Sequence, residues 1–196
     1  MLKALIFDLN GVFIASPKLS DRFPAAFGVE ASAFMEALRA VLPRIQLPGA
    51  GDAFAYWQPY LRQWGVGISG EDFFNFWFSV EQPVPEMIEI ARQTRQAGIK
   101  VFALSNNFAE RTRYYDAQFP ILKEVFDHVY YSWQTGFIKP DSRAYELIMT
   151  EHQLQPSECL YFDDSPANVS AAEELGIRSF LFEGPASVER VLAADS

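Results

Sequence analysis

Short apolar runs alternate with stretches of helical periodicity along most of this chain. Ala4–Phe7 is a continuous apolar run that stops at Asp8, with Asn10 and Gly11 just beyond it. Lys100–Leu104 and Cys159–Phe162 repeat the pattern and end in Ser105-Asn106-Asn107 and Asp163-Asp164. Phe126–Tyr131 and Arg178–Phe182 are two further strand candidates. Continuous runs of this kind suit strands covered on both faces, as in a parallel sheet. Helical patterns lie between them. Pro85 fits the first turn of a helix reaching Gln96, with Gly98 behind its end. Others are predicted from Phe108 to about Ala117, after a cap at Asp141 or Ser142, and after Ser165-Pro166, with Ser165 as N-cap. Trp133–Ile138 reads as a connection leading to Lys139 and Pro140.

From about Arg22 to Val80 the periodicity is helical, with breaks and no strand pattern. One helix is predicted over Ala31–Leu42, ended by Pro43, and another over Ala53–Trp64, capped by Asp52. A third starts at Ser69-Gly70-Glu71-Asp72. The prediction is therefore an α/β chain with a Rossmann-like parallel sheet core, residues 1–15 and 82–196, and an inserted α-helical bundle cap, residues 16–81. Aromatics crowd the insert: Phe54, Tyr56, Trp57, Tyr60, Trp64, Phe73, Phe74, Phe76, Trp77 and Phe78. Most read as the bundle's own core. A surplus could line an apolar substrate mouth or a dimer contact.

Composition narrows the partners. The formal net charge of −9 over 196 residues argues against a nucleic-acid groove or an anionic membrane surface. A local cluster of donors could still hold a small anion. Cys159 stands alone, so no disulfide forms within the chain, and it reads as a small core residue. No apolar run is long enough to span a membrane. The first strand begins almost at once, leaving no room for a signal peptide. The expectation is a cytoplasmic protein, monomer or homodimer, acting on a small molecule.

The strand ends carry the chemistry. In a parallel sheet, Asp8/Asn10, Ser105/Asn106/Asn107 and Asp163/Asp164 share one edge, with Lys139 in a nearby loop. Ligands bind at that edge. Acidic side chains brought together repel unless a cation joins them. Carboxylates, a carbonyl and waters suit magnesium (Mg2+). Ser105, the amides after it and Lys139 offer donors to an anion, as phosphoryl transfer requires. Asp8 is the candidate nucleophile. A calcium loop starting at Asp8 fails, because Phe13 and Leu19 stand where Gly and Glu are needed.

Four segments together resemble the motifs of the haloacid dehalogenase-like hydrolase superfamily, in order and spacing. They are Phe7-Asp8-Leu9-Asn10-Gly11-Val12, Leu104-Ser105-Asn106-Asn107, Gly136-Phe137-Ile138-Lys139-Pro140-Asp141 and Tyr161-Phe162-Asp163-Asp164-Ser165-Pro166-Ala167-Asn168-Val169. A helical cap between the first two also fits. The resemblance implies an aspartyl-phosphate on Asp8. It implies magnesium held by Asp8, the Asn10 backbone carbonyl and Asp164, with Asp163 helping directly or through water. Ser105, Asn106 and Lys139 would hold the phosphoryl group, and Asn168 would orient Lys139 or a metal ligand.

Asn10 departs from the pattern. Phosphatases of this superfamily usually carry Asp there as general acid and base, a role worth about 10²–10⁴-fold. His128, His152, Glu71 and Asp72 are poor substitutes on sequence grounds. The implied function is hydrolysis of a small organic phosphate monoester, slowed by Asn10. The alternatives are a C–halogen hydrolase of haloacid dehalogenase type and a catalytically weak binding or regulatory relative. The Asp163-Asp164 pair resembles the metal-binding form of the fourth motif and favours the phosphatase. Two-component receiver domains share an acidic strand-end pocket and a Lys but lack the helical insert.

Overall fold

The structure is a computed structural model and describes residues 1–195. Seven strands are β1 (Ala4–Phe7), β2 (Ile14–Ala15), β3 (Gln82–Pro83), β4 (Lys100–Ser105), β5 (His128–Tyr131), β6 (Cys159–Asp163) and β7 (Arg178–Leu181). Helices α1 (Leu19–Phe27), α2 (Ala31–Ile45), α3 (Ala53–Gln63) and α4 (Gly70–Phe78) fill the span between β2 and β3. The others are α5 (Pro85–Gln96), α6 (Ala109–Gln118), α7 (Ile121–Val125), α8 (Ser132–Thr135), α9 (Ser142–His152), α10 (Pro166–Glu174) and α11 (Pro185–Asp195).

Five strands form one parallel sheet in the order β5-β4-β1-β6-β7. Side chains alternate across it. Leu5 and Phe7 enter one apolar cluster with Met87, Ile90, Tyr115 and Val188. Ala4 and Ile6 enter the other with Tyr145, Ile148 and Tyr161. Both faces are covered, which accounts for the continuous apolar runs. β4 and β5 lie on one side of β1 and the later strands β6 and β7 on the other, so the strand order reverses at β1, the kind of switch point where open sheets bind ligands. No helix among the described residues is long and apolar enough to cross a membrane.

The inserted helices have their own apolar cluster. Phe23, Phe34, Trp57 and Phe73 are fully buried in it, and Trp77 and Phe78 nearly so. Most of the aromatics therefore serve as internal packing. The antiparallel pair β2–β3, with Ile14 opposite Pro83, closes the root of the insert. Phe108 joins the insert to the sheet domain. It caps α6 yet belongs to the insert's cluster, with its ring 5.3 Å from Trp77 and 5.9 Å from Phe78.

Several boundaries differ from the sequence reading. Pro43 does not end α2, which continues to Ile45. Phe34, Ala37, Val41 and Ile45 form one buried stripe, and burying Ile45 offsets the hydrogen bond lost at proline. β5 starts at His128, because Phe126 turns into the core and Asp127 N donates to Val101 O at 2.7 Å. The connection 133–138 contains most of the short helix α8. Ser165 stands at the N-cap of α10 but makes no side-chain cap bond. Asp141 does cap α9, accepting from Arg143 N.

Replacing Phe108 by Ala should cost about 3–5 kcal/mol, the usual penalty for emptying an aromatic core site. Phe108→Leu should cost under about 1.5 kcal/mol. Urea denaturation measures both. A loss below about 1 kcal/mol for Phe108→Ala would mean that this ring does not join the two parts.

Candidate active site

The sheet register builds the centre of the site. Phe7 lies opposite Ala103 and Phe162, so the next residue of β1 falls beside the last residue of β6. Asp8 and Asp163 are therefore neighbours, and Asp8 N donates to Phe162 O at 2.8 Å. Lys139 enters between them from the loop after α8. Its Nζ donates to Asp8 Oδ1 at 2.8 Å and to Asp163 Oδ2 at 2.7 Å. The lysine side chain is 2% exposed.

The lysine is held from behind. The Asn106 side chain grips its main chain, accepting from Lys139 N at 2.8 Å and donating to Lys139 O at 2.9 Å. Asp163 is fixed by donors on both oxygens. Ser165 N donates to Oδ1 at 2.8 Å, Asn168 Nδ2 lies 3.0 Å from Oδ1 and 3.1 Å from Oδ2, and the Tyr161 hydroxyl donates to Oδ2. Asp163 is completely buried and its hydrogen-bonding capacity is used within the protein. Asp164, the next residue, is exposed.

Charge does not balance here. Asp8, Asp163 and Asp164 each offer a carboxylate oxygen, and these lie within 4.8 Å of one another. One buried ammonium faces three acids, which leaves two negative charges uncompensated. Burial and the Asp163 charge push the Asp8 carboxyl up to about 6, against the opposing pull of Lys139. Burial and Asp163 also raise Asp164. Burial lowers Lys139, but Asp8 and Asp163 outweigh it and hold the ammonium above its ordinary value. An oxygen-lined site with surplus negative charge fits a hard divalent cation. Gly11 makes room for this arrangement. Its φ is +92°, and a Cβ there would lie 2.3 Å from Asp164 Oδ2.

Ser105, at the end of β4, is 1% exposed, and its Oγ is buried with no hydrogen-bond partner among the described residues. A buried hydroxyl left unpaired costs about 1–3 kcal/mol unless a ligand satisfies it.

Asn10 is half-buried and fully engaged. Its Nδ2 donates to Ser16 Oγ at 3.0 Å and to the Tyr115 hydroxyl, and its Oδ1 accepts from Asn107 Nδ2 at 3.2 Å. Both amide hydrogens are spent, so the side chain has no proton to give a leaving group. The Asn106 side chain, expected at the anion, is instead occupied by the Lys139 main chain. The weak candidates for a base lie elsewhere. His128 begins β5 at the far end of the sheet, His152 stacks on Phe102 at 4.3 Å, and Ser69 Oγ binds Asp72 Oδ2 at 2.6 Å where α4 begins, next to Glu71. Sequence reasoning missed Tyr161, Tyr115, Glu81, Arg111 and Ser16. The last four meet only through the fold, and no local spacing links them. Tyr161 carried one usable signal, its place two residues before Asp163 on the same strand face.

The profile of a family described as haloacid dehalogenase-like hydrolase matches residues 2–176. Among curated proteins, the chain is 27% identical to acyl-CoA dehydrogenase family member 10 of Mus musculus, over 98% of this chain and 19% of that protein. It is 31% identical to a phosphatase of Mycobacterium tuberculosis over 52% of this chain and 47% of that one. The chain thus spans about a fifth and about half of these relatives. Among solved structures, a haloacid dehalogenase family enzyme of Bacteroides thetaiotaomicron, in complex with magnesium and inorganic phosphate, superposes with a TM-score of 0.76. That match is 20% identical and covers 92% of this chain and 94% of that one. The chain belongs to the haloacid dehalogenase-like hydrolase family.

Proposed function

We propose that this protein hydrolyses a small organic phosphate monoester with the help of magnesium, using Asp8 as nucleophile, and that residues 16–81 form a cap over the site. One observation carries the reading. Three carboxylates lie together, two of them paired with a single buried lysine, beside a buried serine hydroxyl that lacks a partner among the described residues. The phosphatase among the relatives points the same way.

Asp8, Asp164 and the Asn10 backbone carbonyl would hold magnesium, and Asp163, with its oxygens already satisfied, would act on it only from behind. Bound there, magnesium would offset the carboxylate charge and polarise a phosphoryl oxygen. The Ser105 hydroxyl and the Lys139 ammonium receive the phosphoryl oxygens. An Asp8 carboxylate oxygen attacks phosphorus, the bond from phosphorus to the alcohol oxygen breaks, and the alcohol leaves. Water then attacks the aspartyl-phosphate at phosphorus, releasing inorganic phosphate and restoring Asp8. Asn10 neither protonates the alcohol nor takes a proton from that water, so both protons move through solvent. Both steps are slow as a result.

Two outcomes test this. With an aryl phosphate and magnesium, Asp8→Ala should be inactive, and Asn10→Asp should gain activity up to the roughly 10²–10⁴-fold worth of general acid–base catalysis. Phosphate release by Asp8→Ala equal to that of the wild type would rule out the nucleophile.

The second outcome is metal-dependent stability. In the metal-free protein the raised Asp8 pKa favours folding fully below the ordinary value of 3.8, and that contribution is lost as pH rises through about 6. Magnesium needs the ionised carboxylates, so its effect has the opposite sign. At about pH 7.5 and 100 times Kd, it should add about 2.7 kcal/mol. Melting should rise by roughly 5–10 °C. At about pH 5 the rise should be much smaller. An equal rise at both pH values would remove Asp8 from the metal site.

A further inference from the structure

A second buried charged cluster lies behind Asn10, and the reaction above leaves it unused. Glu81 precedes β3, and Ser16 follows β2, so both flank the root of the insert. Arg111 and Tyr115 lie one turn apart on α6. Glu81 is 1% exposed and takes two donors from Arg111, Nε at 3.3 Å and Nη2. It also accepts from the Tyr115 hydroxyl at 2.7 Å. Arg111 Nη2 reaches Ser16 Oγ at 3.3 Å. Among the described residues, the cluster holds one carboxylate and one guanidinium, and it is neutral.

The hydrogen bonds around Asn10 have fixed directions. Tyr115 spends its only proton on Glu81, so it faces Asn10 as an acceptor. Ser16 Oγ spends its proton on Ile14 O at 3.2 Å, so it also faces Asn10 as an acceptor. Asn107 Oδ1 accepts from Phe108 N at 3.0 Å, which turns its Nδ2 toward Asn10 as a donor. The surroundings ask position 10 for two donors and one acceptor. An amide supplies them. An ionised carboxylate supplies no donor and would meet two lone pairs, with Glu81 already taking the guanidinium.

We propose that Glu81, acting through Tyr115, positions Asn10 and holds the negative charge this pocket favours, so that an acid at position 10 reaches its full effect only when position 81 carries no charge. Glu81 is a positioning residue and touches no substrate. With Glu81→Gln, Arg111 and the Tyr115 proton become available to an acid at position 10. The activity consequence rests on the phosphohydrolase reading above. The stability consequence does not.

The test is a double-mutant cycle on the full chain: wild type, Asn10→Asp, Glu81→Gln and the pair, with Asn10→Ala as a partner that adds no charge. Melting temperatures are read first, without magnesium, near neutral pH. Each single variant should melt lower, Asn10→Asp by roughly 2–4 °C or more. The pair should melt well above the sum of the two losses, and Asn10→Ala with Glu81→Gln should show no such recovery. If Asn10→Asp does not fold, folding of the pair supports the proposal. If Glu81→Gln folds and the pair does not, or if the losses add, the proposal is wrong. Turnover of an aryl phosphate with magnesium is read second. The kcat of the pair should exceed that of Asn10→Asp by about tenfold or more, part of the range available to general acid–base catalysis, with KM little changed. Equal kcat values for active Asn10→Asp and the pair would contradict the proposal. If every variant is inactive, the phosphohydrolase reading fails and the melting cycle still decides this one.

Discussion

The buried ammonium of Lys139 between Asp8 and Asp163 is the interaction on which the site depends. Removing one partner from such an arrangement typically costs 3–5 kcal/mol, about as much as a large core truncation, because it strands a buried charge. Every neighbouring feature serves that contact. The register of β1 against β6 puts the two acids side by side. Asn106 grips the lysine main chain, while Tyr161, Ser165 and Asn168 hold Asp163. The remaining acid, Asp164, is exposed and adds the negative charge that a divalent cation would offset.

The helical insert is organised separately. Its aromatics pack mainly on one another, and its contact with the sheet domain centres on Phe108, one residue beyond Asn107. Other contacts reinforce this one. Gln46 Nε2 donates to Asn106 O at 3.1 Å, and Glu110 accepts from Ala53 N at 3.3 Å. The insert therefore touches the main chain of Asn106, the residue whose side chain grips Lys139. Its two linkers, through Ser16 and Glu81, also meet the residues around Asn10. The insert's position and the polar setting of position 10 are thus physically linked.

The sheet was legible because parallel strands covered on both faces leave continuous apolar runs, and each central run stops at a polar residue. Asp8, Ser105 and Asp163 could be placed on one edge from that alone. The helices were legible from periodicity, though the stripe ending at Ile45 overrode the break signal of Pro43. The two-residue strands β2 and β3 are too short to leave a pattern. The direction of side-chain hydrogen bonds was not legible. Asn106 looked like an anion ligand, and that its side chain bonds the Lys139 main chain could not be read from the sequence. Glu81, Arg111 and Tyr115 lie far from Asn10 in sequence, and nothing in their local spacing marks them. Long-range polar networks of this kind form only when the fold brings their members together.

The most direct test of the chemistry asks whether Asp8 takes a phosphoryl group that Asn10 cannot help to remove. The chain would be mixed with magnesium and a reactive acyl phosphate, and its intact mass followed over time. We expect one added phosphoryl group that persists for minutes, maps to Asp8 by peptide mass, is absent in Asp8→Ala and is lost with hydroxylamine. An unmodified chain at every time, under conditions where Asn10→Asp turns over, would show that the slow step precedes the intermediate. An adduct that survives Asp8→Ala would contradict the assignment of the nucleophile outright.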